Sequence, residues 1–240
     1  MGRCGSVSIY DELCKHFKNV EKCHSLVVGR YDFLKKNTKR FISEYKKNNN
    51  YKFICTYREP VSHLVSWVFF RYSMRNSVID ILSSFKSCKN FFDLQINEYL
   101  DVGKASGLYF DDFINFSMDF FDKDMNPALD IDVYNYKFDH KKNHVVVPSK
   151  YGDVLIYKFE DMENISSVVN DFLGIDDFKL IKSNSNFDRK FFHVYKEFLD
   201  KYKFDKRFLN IVYNSKYVKH FYSDEEVKKF YERWGKDSCC

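Results

Sequence analysis

The sequence predicts an α/β fold in which a doubly wound parallel sheet is flanked by helices. Three segments carry this prediction, because in each of them a short apolar strand runs into a helix: residues 23–47, 51–71 and 153–173. Successive strand and helix units favour parallel strands joined by helical crossovers. No internal repeat or low-complexity linker interrupts the pattern, so we interpret residues 1–240 as a single domain.

The chain opens with a glycine-bearing, hydroxyl-rich loop, GRCGSVS, that leads into a helix. Apolar residues then recur at helical spacing, and Ser8 with Asp11 resembles a capping pair. Glycine lets the backbone approach a ligand and a helix N-terminus attracts anions, so the loop is P-loop-like. It lacks the G-K-[ST] of a Walker A motif. Only Met1 precedes it. Either a first strand is missing, through truncation or a misassigned start, or the loop interpretation is wrong. We favour truncation.

The next two units place charge and hydroxyl groups at the ends of strands. Cys23 to Val28 is a predicted strand, and a basic helix follows it. The strand ending at Tyr57 is followed by Arg58 and then by a helix that begins at Pro60, where the missing N–H costs nothing. An arginine beside a helix N-terminus suits a phosphate monoester, with hydroxyls from Ser62 and Ser66. The alternative is that Arg58 pairs with a surface carboxylate and the serines are ordinary helix residues.

The second half of the chain returns to the strand and helix pattern after an insertion. Residues 91–147 read as a helical and loop insertion and as a candidate lid on the acceptor side. The strand 153–159 is followed by a helix that Gly174 stops. Ser223 and Glu226 form a capping box at the start of the last helix. The many aromatic residues of the insertion are interpreted as core rather than as a cofactor site.

Composition narrows the class of protein. The chain is 45% hydrophobic and 30% charged, which permits a large core. Its 39 basic and 34 acidic residues are dispersed, so the net charge of +5 does not indicate nucleic-acid binding. Seven cysteines without C-x-x-C spacing indicate free thiols in a reducing compartment, and no apolar stretch is long enough to span a membrane. We therefore expect a soluble, cytoplasmic protein without a metal site.

Several of these segments together resemble the sulfotransferases that use 3'-phosphoadenosine 5'-phosphosulfate. The resemblance rests on the GRCGSVSI loop, on YREP with Ser66 eight residues after Arg58, and on VLIYKFEDMENISSVVNDFLGI. More closely, FFDKDMNPALDIDVYNYKFD and YNSKYVKHFYSDEEVKKFYERW look like the capsular polysaccharide synthesis proteins, a sulfotransferase-like group. The resemblance covers nearly the whole chain. It implies sulfuryl transfer to a hydroxyl of a carbohydrate or polysaccharide acceptor, with the phosphosulfate as co-substrate.

The same resemblance implies roles for individual residues. Arg3 stands where the family's loop lysine contacts the bridging and sulfuryl oxygens, and Arg58 and Ser66 match the residues that contact the 3'-phosphate. His63 stands where many members have a second arginine. Arg189, with Lys190, is expected to reach the nucleotide. The implied donor-binding residues are Arg3, Cys4, Gly5, Ser6, Val7, Ser8, Arg58, Ser66 and Arg189.

Sulfuryl transfer also needs a base for the acceptor hydroxyl. We expect His24 to be this base, because it lies near the end of the second predicted strand and ligands collect at strand carboxyl ends. Alternatively, His24 is a half-buried strand residue that is hydrogen-bonded to the backbone. Asp32 and Glu160 are the other candidates for the base. No metal is required if Arg3 and backbone N–H groups supply the positive charge. Two other functions stay open: a nucleotide-dependent phosphotransferase, and a lipid-anchored, non-enzymatic binding protein suggested by the cysteines near both termini.

Overall fold

The computed structural model describes residues 5–22, 26, 43–44, 46–47, 50–73, 81–103, 110–180 and 191–236. These residues form a mixed α/β protein, which confirms the α/β part of the predicted fold, whereas the doubly wound, P-loop-like arrangement stays a prediction. The chain divides into two compact units, each described here by itself. Unit 1 comprises Met1–Glu59 and Asp119–Asn184, and unit 2 comprises Pro60–Met118 and Ser185–Cys240. The interpretation of the whole chain as a single domain stays a prediction.

Unit 1 contains a three-stranded sheet. Its strands are β1 (Tyr51–Tyr57), β2 (His144–Ser149) and β3 (Gly152–Lys158), in the order β1-β3-β2. β1 pairs with β3 in parallel, as the sequence predicts, whereas β2 runs antiparallel to β3. The described sheet is therefore mixed, and most of β2 comes from the end of the segment interpreted as an insertion. The predicted strand at residues 23–28 lies outside the described residues except for Leu26.

Ten α-helices are described. In chain order they are α1 (Ser6–His16), α2 (Pro60–Ser73), α3 (Phe85–Val102), α4 (Phe110–Phe120), α5 (Asn126–Leu129), α6 (Ile165–Leu173), α7 (Phe192–Lys201), α8 (Lys206–Tyr213), α9 (Lys216–Phe221) and α10 (Asp224–Trp234). A π-helix spans Phe121–Met125, and 3-10 turns span Val133–Asn135 and Phe159–Asp161. Among the described residues, none of these helices combines the length and the apolar character needed to cross a membrane.

The core of unit 1 explains why β3 reads as a continuous apolar run. Leu155 and Tyr157 point to one face of the sheet, where they pack against Ile9 of α1 and against Ile165 and Val169 of α6. All five residues are at most 5% exposed, so this face is dry. Covering the strand with α1 and α6 holds the start of α1 close to the end of β3.

Glycines set the ends of two of these helices. Gly174 has φ 70° and its N–H donates to the carbonyl of Asn170, so it ends α6 as predicted. Gly5 has φ 74° and is the N-cap of α1. The prediction that Ser8 and Asp11 cap α1 is wrong, because the helix already begins at Ser6 and Ser8 lies in its first turn.

Unit 2 is helical, and its core is built from aromatic side chains. The ring of Phe92 lies 4.6 Å from that of Phe198, 5.6 Å from that of Tyr202 and 6.1 Å from that of Phe204, measured between centroids. Phe92, Phe198 and Phe204 are at most 1% exposed, so these aromatic residues fill the core. Of the three, Phe92 belongs to the segment whose aromatic residues were interpreted as core, and its burial agrees with that interpretation. The hydroxyl of Tyr202 donates to Asp93 at 2.8 Å, which satisfies its polar end.

The start of α10 also confirms a prediction. The N–H of Glu226 donates to the hydroxyl oxygen of Ser223 at 3.3 Å, and the N–H of Ser223 donates to the carboxylate of Glu226 at 3.0 Å. This is the reciprocal pair of bonds that defines a capping box.

Replacing Gly152 should destabilise the protein more than replacing Gly174. Gly152 has φ 130°, and a Cβ there would lie 1.9 Å from the carbonyl oxygen of Tyr51, whereas a Cβ at Gly174 would meet no atom within 4 Å. We expect Gly152→Ala to lower the free energy of unfolding by about 3 kcal/mol or more, and Gly174→Ala by about 1 kcal/mol of backbone strain. Urea denaturation of both variants measures this; equal losses would contradict the close approach.

Ser223→Ala should remove the capping box at α10. We expect a loss of about 1 kcal/mol in the free energy of unfolding, because the N–H of Glu226 loses its acceptor. Ser223→Asp keeps an acceptor at the same position and should stay close to the wild type. Thermal unfolding followed by circular dichroism compares the two variants, and an alanine variant as stable as the aspartate variant would rule out a stabilising cap.

Candidate functional site

The parallel pairing of β1 with β3 brings two turns to the same edge of the sheet. Tyr57 is paired with Lys158, so each strand reaches its carboxyl end at the same level. Arg58 and Glu59 follow β1, and the 3-10 turn Phe159–Asp161 follows β3. The carboxyl edge of parallel strands is where ligands bind in open α/β sheets. This edge is the candidate functional site.

Arg58 is held by an aromatic ring from the opposite turn. Its guanidinium lies 4.5 Å from the centroid of the Phe159 ring, a distance typical of a cation–π contact. Arg58 is half-buried, so part of the group stays accessible. A guanidinium that stacks on a ring still directs its N–H groups outward in its own plane, which suits binding of an oxyanion.

The N-terminus of α1 reaches the same aromatic ring. A Cβ placed on Gly5 would lie 3.5 Å from Cε2 of Phe159 and 2.6 Å from Cε of Met162, so only glycine fits here without a shift of Met162. Phe159 is thus a shared neighbour of Arg58 and of the start of α1. The first turn of α1 contains no acidic residue, and a glycine N-cap offers no side chain to the N–H groups. The helix therefore presents its positive end near Arg58.

Glu160 adds a carboxyl group to this edge. Its Oε1 accepts a hydrogen bond from the backbone N–H of Glu59 at 2.9 Å. The residue keeps exposed surface, but protein packed around the carboxyl raises its pKa above the ordinary value. The bond from Glu59 N–H and the charge of Arg58 act in the opposite direction and moderate the rise.

The 3-10 turn that carries Phe159 and Glu160 is anchored to the sheet. The hydroxyl of Tyr157 lies 2.7 Å from the carbonyl oxygen of Asp161 and 2.7 Å from its carboxylate. Burial, followed by the contact with Asp161, raises the pKa of Tyr157, so its hydroxyl stays protonated as a donor. The N–H of Met162 donates to the carbonyl of Phe159 at 3.2 Å and closes the turn.

A cavity lies beside the site within unit 1. It has a volume of about 610 Å³ and is lined by α1 from Ser6 to Phe17, by the following segment to Lys22 and by β1 as far as Thr56. Small-molecule pockets are typically of this size. A second space, lined by residues that include Asp132 and Ser149, adjoins the start of β3 and so the opposite edge of the sheet.

The other predicted members of the phosphate site belong to unit 2. Ser66 is 2% exposed and Ser62 is 9% exposed on α2. His63 is fully buried, and its Nδ1 lies 2.9 Å from the hydroxyl oxygen of Ser117. His63 therefore serves as a hydrogen-bonded core residue of unit 2. Arg58 lies in unit 1 and Ser66 lies in unit 2. That the two residues bind one phosphate group together therefore stays a prediction.

Several predicted site residues lie outside the described part of the chain. These are Arg3, Cys4, His24 and Arg189, together with the alternatives Asp32 and Lys190. The described members of the predicted loop are Gly5, Ser6, Val7 and Ser8, of which Ser8 is buried and the others half-buried. Within the described ranges, no group of three or more His, Cys, Asp or Glu residues is arranged to hold a metal ion.

Sequence reasoning missed Phe159 and Met162. Both lie in the segment that carries the resemblance, but their role depends on contacts with Gly5 and Arg58, which are distant in sequence. One signal was present: Phe159 directly follows an apolar strand, as Arg58 does. Residues that follow two parallel strands are neighbours at the sheet edge.

Comparisons of the chain with protein-family models, with curated proteins and with solved structures find no significant match in any of the three. The site is therefore interpreted from its own geometry and chemistry.

Glu160→Gln should change the dependence of stability on pH. Because the pKa of Glu160 is raised in the folded protein, its stabilising contribution is complete below the ordinary carboxyl pKa of 4.5 and is lost as pH rises through the raised value. We expect glutamine, which does not ionise, to gain stability relative to the wild type as the pH rises above 4.5. Urea denaturation at a series of pH values tests it. Glu163→Gln, which removes a carboxylate from the same region and leaves Glu160 in place, is the matched control.

Proposed function

We propose that the protein is a sulfotransferase that moves a sulfuryl group from 3'-phosphoadenosine 5'-phosphosulfate to a hydroxyl of a carbohydrate acceptor. The single observation that carries the proposal is that Gly5 and Arg58 both lie close to the ring of Phe159. This proximity gathers a helix N-terminus and a guanidinium at the carboxyl edge of two parallel strands. Two positive groups at one such edge are suited to a ligand with more than one phosphate or sulfate group.

The proposal assigns each end of the donor to one of these groups. The backbone N–H groups of residues 5–8 cradle the 5'-phosphosulfate, with Arg3 and Cys4 completing the loop. Arg58 binds the 3'-phosphate, with Ser66 as its second ligand and Arg189 against the nucleotide. The fold that accompanies this assignment is a doubly wound, P-loop-like sheet, in which β1 and β3 are two of the parallel strands.

The chemistry asks for position and charge rather than for a covalent intermediate. An acceptor oxygen attacks the sulfur in line with the departing phosphate, and negative charge builds up on the bridging and sulfuryl oxygens. Arg3 and the N-terminal dipole of α1 stabilise that charge. His24 takes the proton of the acceptor hydroxyl, which a near-neutral imidazole does without a metal.

Arg58→Ala should weaken binding of 3'-phosphoadenosine 5'-phosphate to the full chain. A charge-assisted hydrogen bond contributes about 2 kcal/mol, so we expect Kd to rise roughly thirtyfold by isothermal titration calorimetry. Arg58→Lys keeps the positive charge but loses the planar guanidinium, so its Kd should lie between those of the wild type and of Arg58→Ala. Arg207→Ala is the matched control, because it removes the same positive charge from an exposed position on α8, and it should leave Kd unchanged.

Two outcomes would overturn the proposal. One is that the wild type does not bind the bisphosphate; the other is that Arg58→Ala binds it as tightly as the wild type does. Tighter binding of ATP with Mg²⁺ than of the bisphosphate would instead favour a nucleotide-dependent phosphotransferase.

A further inference from the structure

Two residues of the turn after β3, Phe159 and Glu160, contact the two residues that follow β1, Arg58 and Glu59. Phe159 lies against the guanidinium of Arg58, and the carboxyl of Glu160 accepts the N–H of Glu59 at 2.9 Å. The first contact fixes the side chain of Arg58, and the second fixes the peptide that follows it. Arg58 is therefore oriented by the turn after β3 as well as by its own strand.

Glu160 also affects the charge of this site. The positive charge of Arg58 lowers the pKa of Glu160, so the two groups attract each other, while Glu59 raises it by repulsion. The first turn of α1, which packs against Phe159, brings no acidic residue. In the same turn, Asp161 is engaged by the hydroxyl of Tyr157 and by the side-chain amide of Asn164, each at 2.7 Å. An anion that binds Arg58 therefore lies within the field of the Glu160 carboxyl, which is bonded to the residue next to Arg58.

We propose that Glu160 is a positioning residue for Arg58 and that it links binding of a phosphate group at this site to uptake of one proton. A phosphate next to Arg58 repels an ionised Glu160, so the carboxylate takes a proton from solvent when the ligand binds. The hydrogen bond from Glu59 survives, because a neutral carboxyl still offers its carbonyl oxygen as an acceptor. This inference rests on the proposed function, and it adds a dependence on pH that the resemblance does not imply.

The linkage predicts a difference between variants that changes with pH. At high pH, where Glu160 is ionised, its charge opposes the ligand, so we expect the wild type to bind 3'-phosphoadenosine 5'-phosphate about tenfold more weakly than Glu160→Gln. As the pH is lowered and the carboxyl is protonated, the two affinities should converge. The phosphates of the ligand also titrate near pH 6, but they do so equally with both proteins, so the ratio of the two Kd values isolates Glu160.

Isothermal titration calorimetry of the full chain measures these ratios, and repeating it in buffers of different ionisation enthalpy counts the protons. We expect the wild type to take up more protons on binding than Glu160→Gln at neutral pH. Glutamine keeps the acceptor for the N–H of Glu59, so the variant should retain the fold, which thermal unfolding verifies. Glu163→Gln removes the same charge from an exposed position and should behave as the wild type.

The outcomes separate this inference from the proposed function. If the wild type binds the bisphosphate but the ratio of Kd values to Glu160→Gln does not change with pH, the proton linkage is wrong and the proposed function stands. If Glu163→Gln reproduces the effect, the charge acts from a distance and Glu160 has no special position. If the wild type does not bind the bisphosphate at any pH, the proposed function fails and the linkage fails with it.

Discussion

The parallel register between β1 and β3 is the constraint on which the candidate site depends. It sets the level at which both strands end, and so it decides that Arg58 meets Phe159 and that the N–H of Glu59 meets Glu160. A slip by one residue would turn the side chains of β3 to the opposite face and separate these partners. Gly152 helps to fix the register at the other end, because it admits the backbone of Tyr51 at a distance that no larger residue allows.

Two features of the candidate site are less stable than they could be: the N-terminus of α1 has no side-chain cap, and Glu160 has a raised pKa. α3, α8, α9 and α10 begin with a serine or aspartate whose side chain caps the backbone, whereas α1 begins with glycine. A side-chain cap contributes about 1 kcal/mol, which α1 forgoes. Close by, a carboxyl group with a raised pKa stands beside an arginine. Incomplete compensation of this kind is common where a protein binds a charged ligand.

Local patterns predicted the elements but not the contacts between them. The apolar run of β1, Pro60 at the start of α2, the stop at Gly174 and the capping box at Ser223 all follow from short-range rules, and the structure contains them. β2 was not predicted, because its apolar run is only three valines long and lies between a polar, turn-rich segment and Pro148. The start of α1 was placed too late, because a left-handed glycine cap has no partner residue in the sequence pattern.

No local sequence pattern predicts the role of Phe159. Its contact with Arg58 depends on pairing between residues 101 positions apart, and no spacing in the sequence encodes that pairing. The presumed loop residues Gly5 to Ser8 were predicted from composition and from resemblance, and their position beside Phe159 became visible only through packing. The roles of Arg3, Cys4, His24 and Arg189 stay predictions.

The same separation in sequence has a consequence for the order of folding. β2 and β3 are joined by a tight turn, so this hairpin closes a short loop and forms within microseconds in isolation. β1 docks only after a long loop closes, which costs more entropy and slows the step. The turn after β3 is therefore expected to exist before Arg58 arrives, and the candidate site is completed late on the folding pathway.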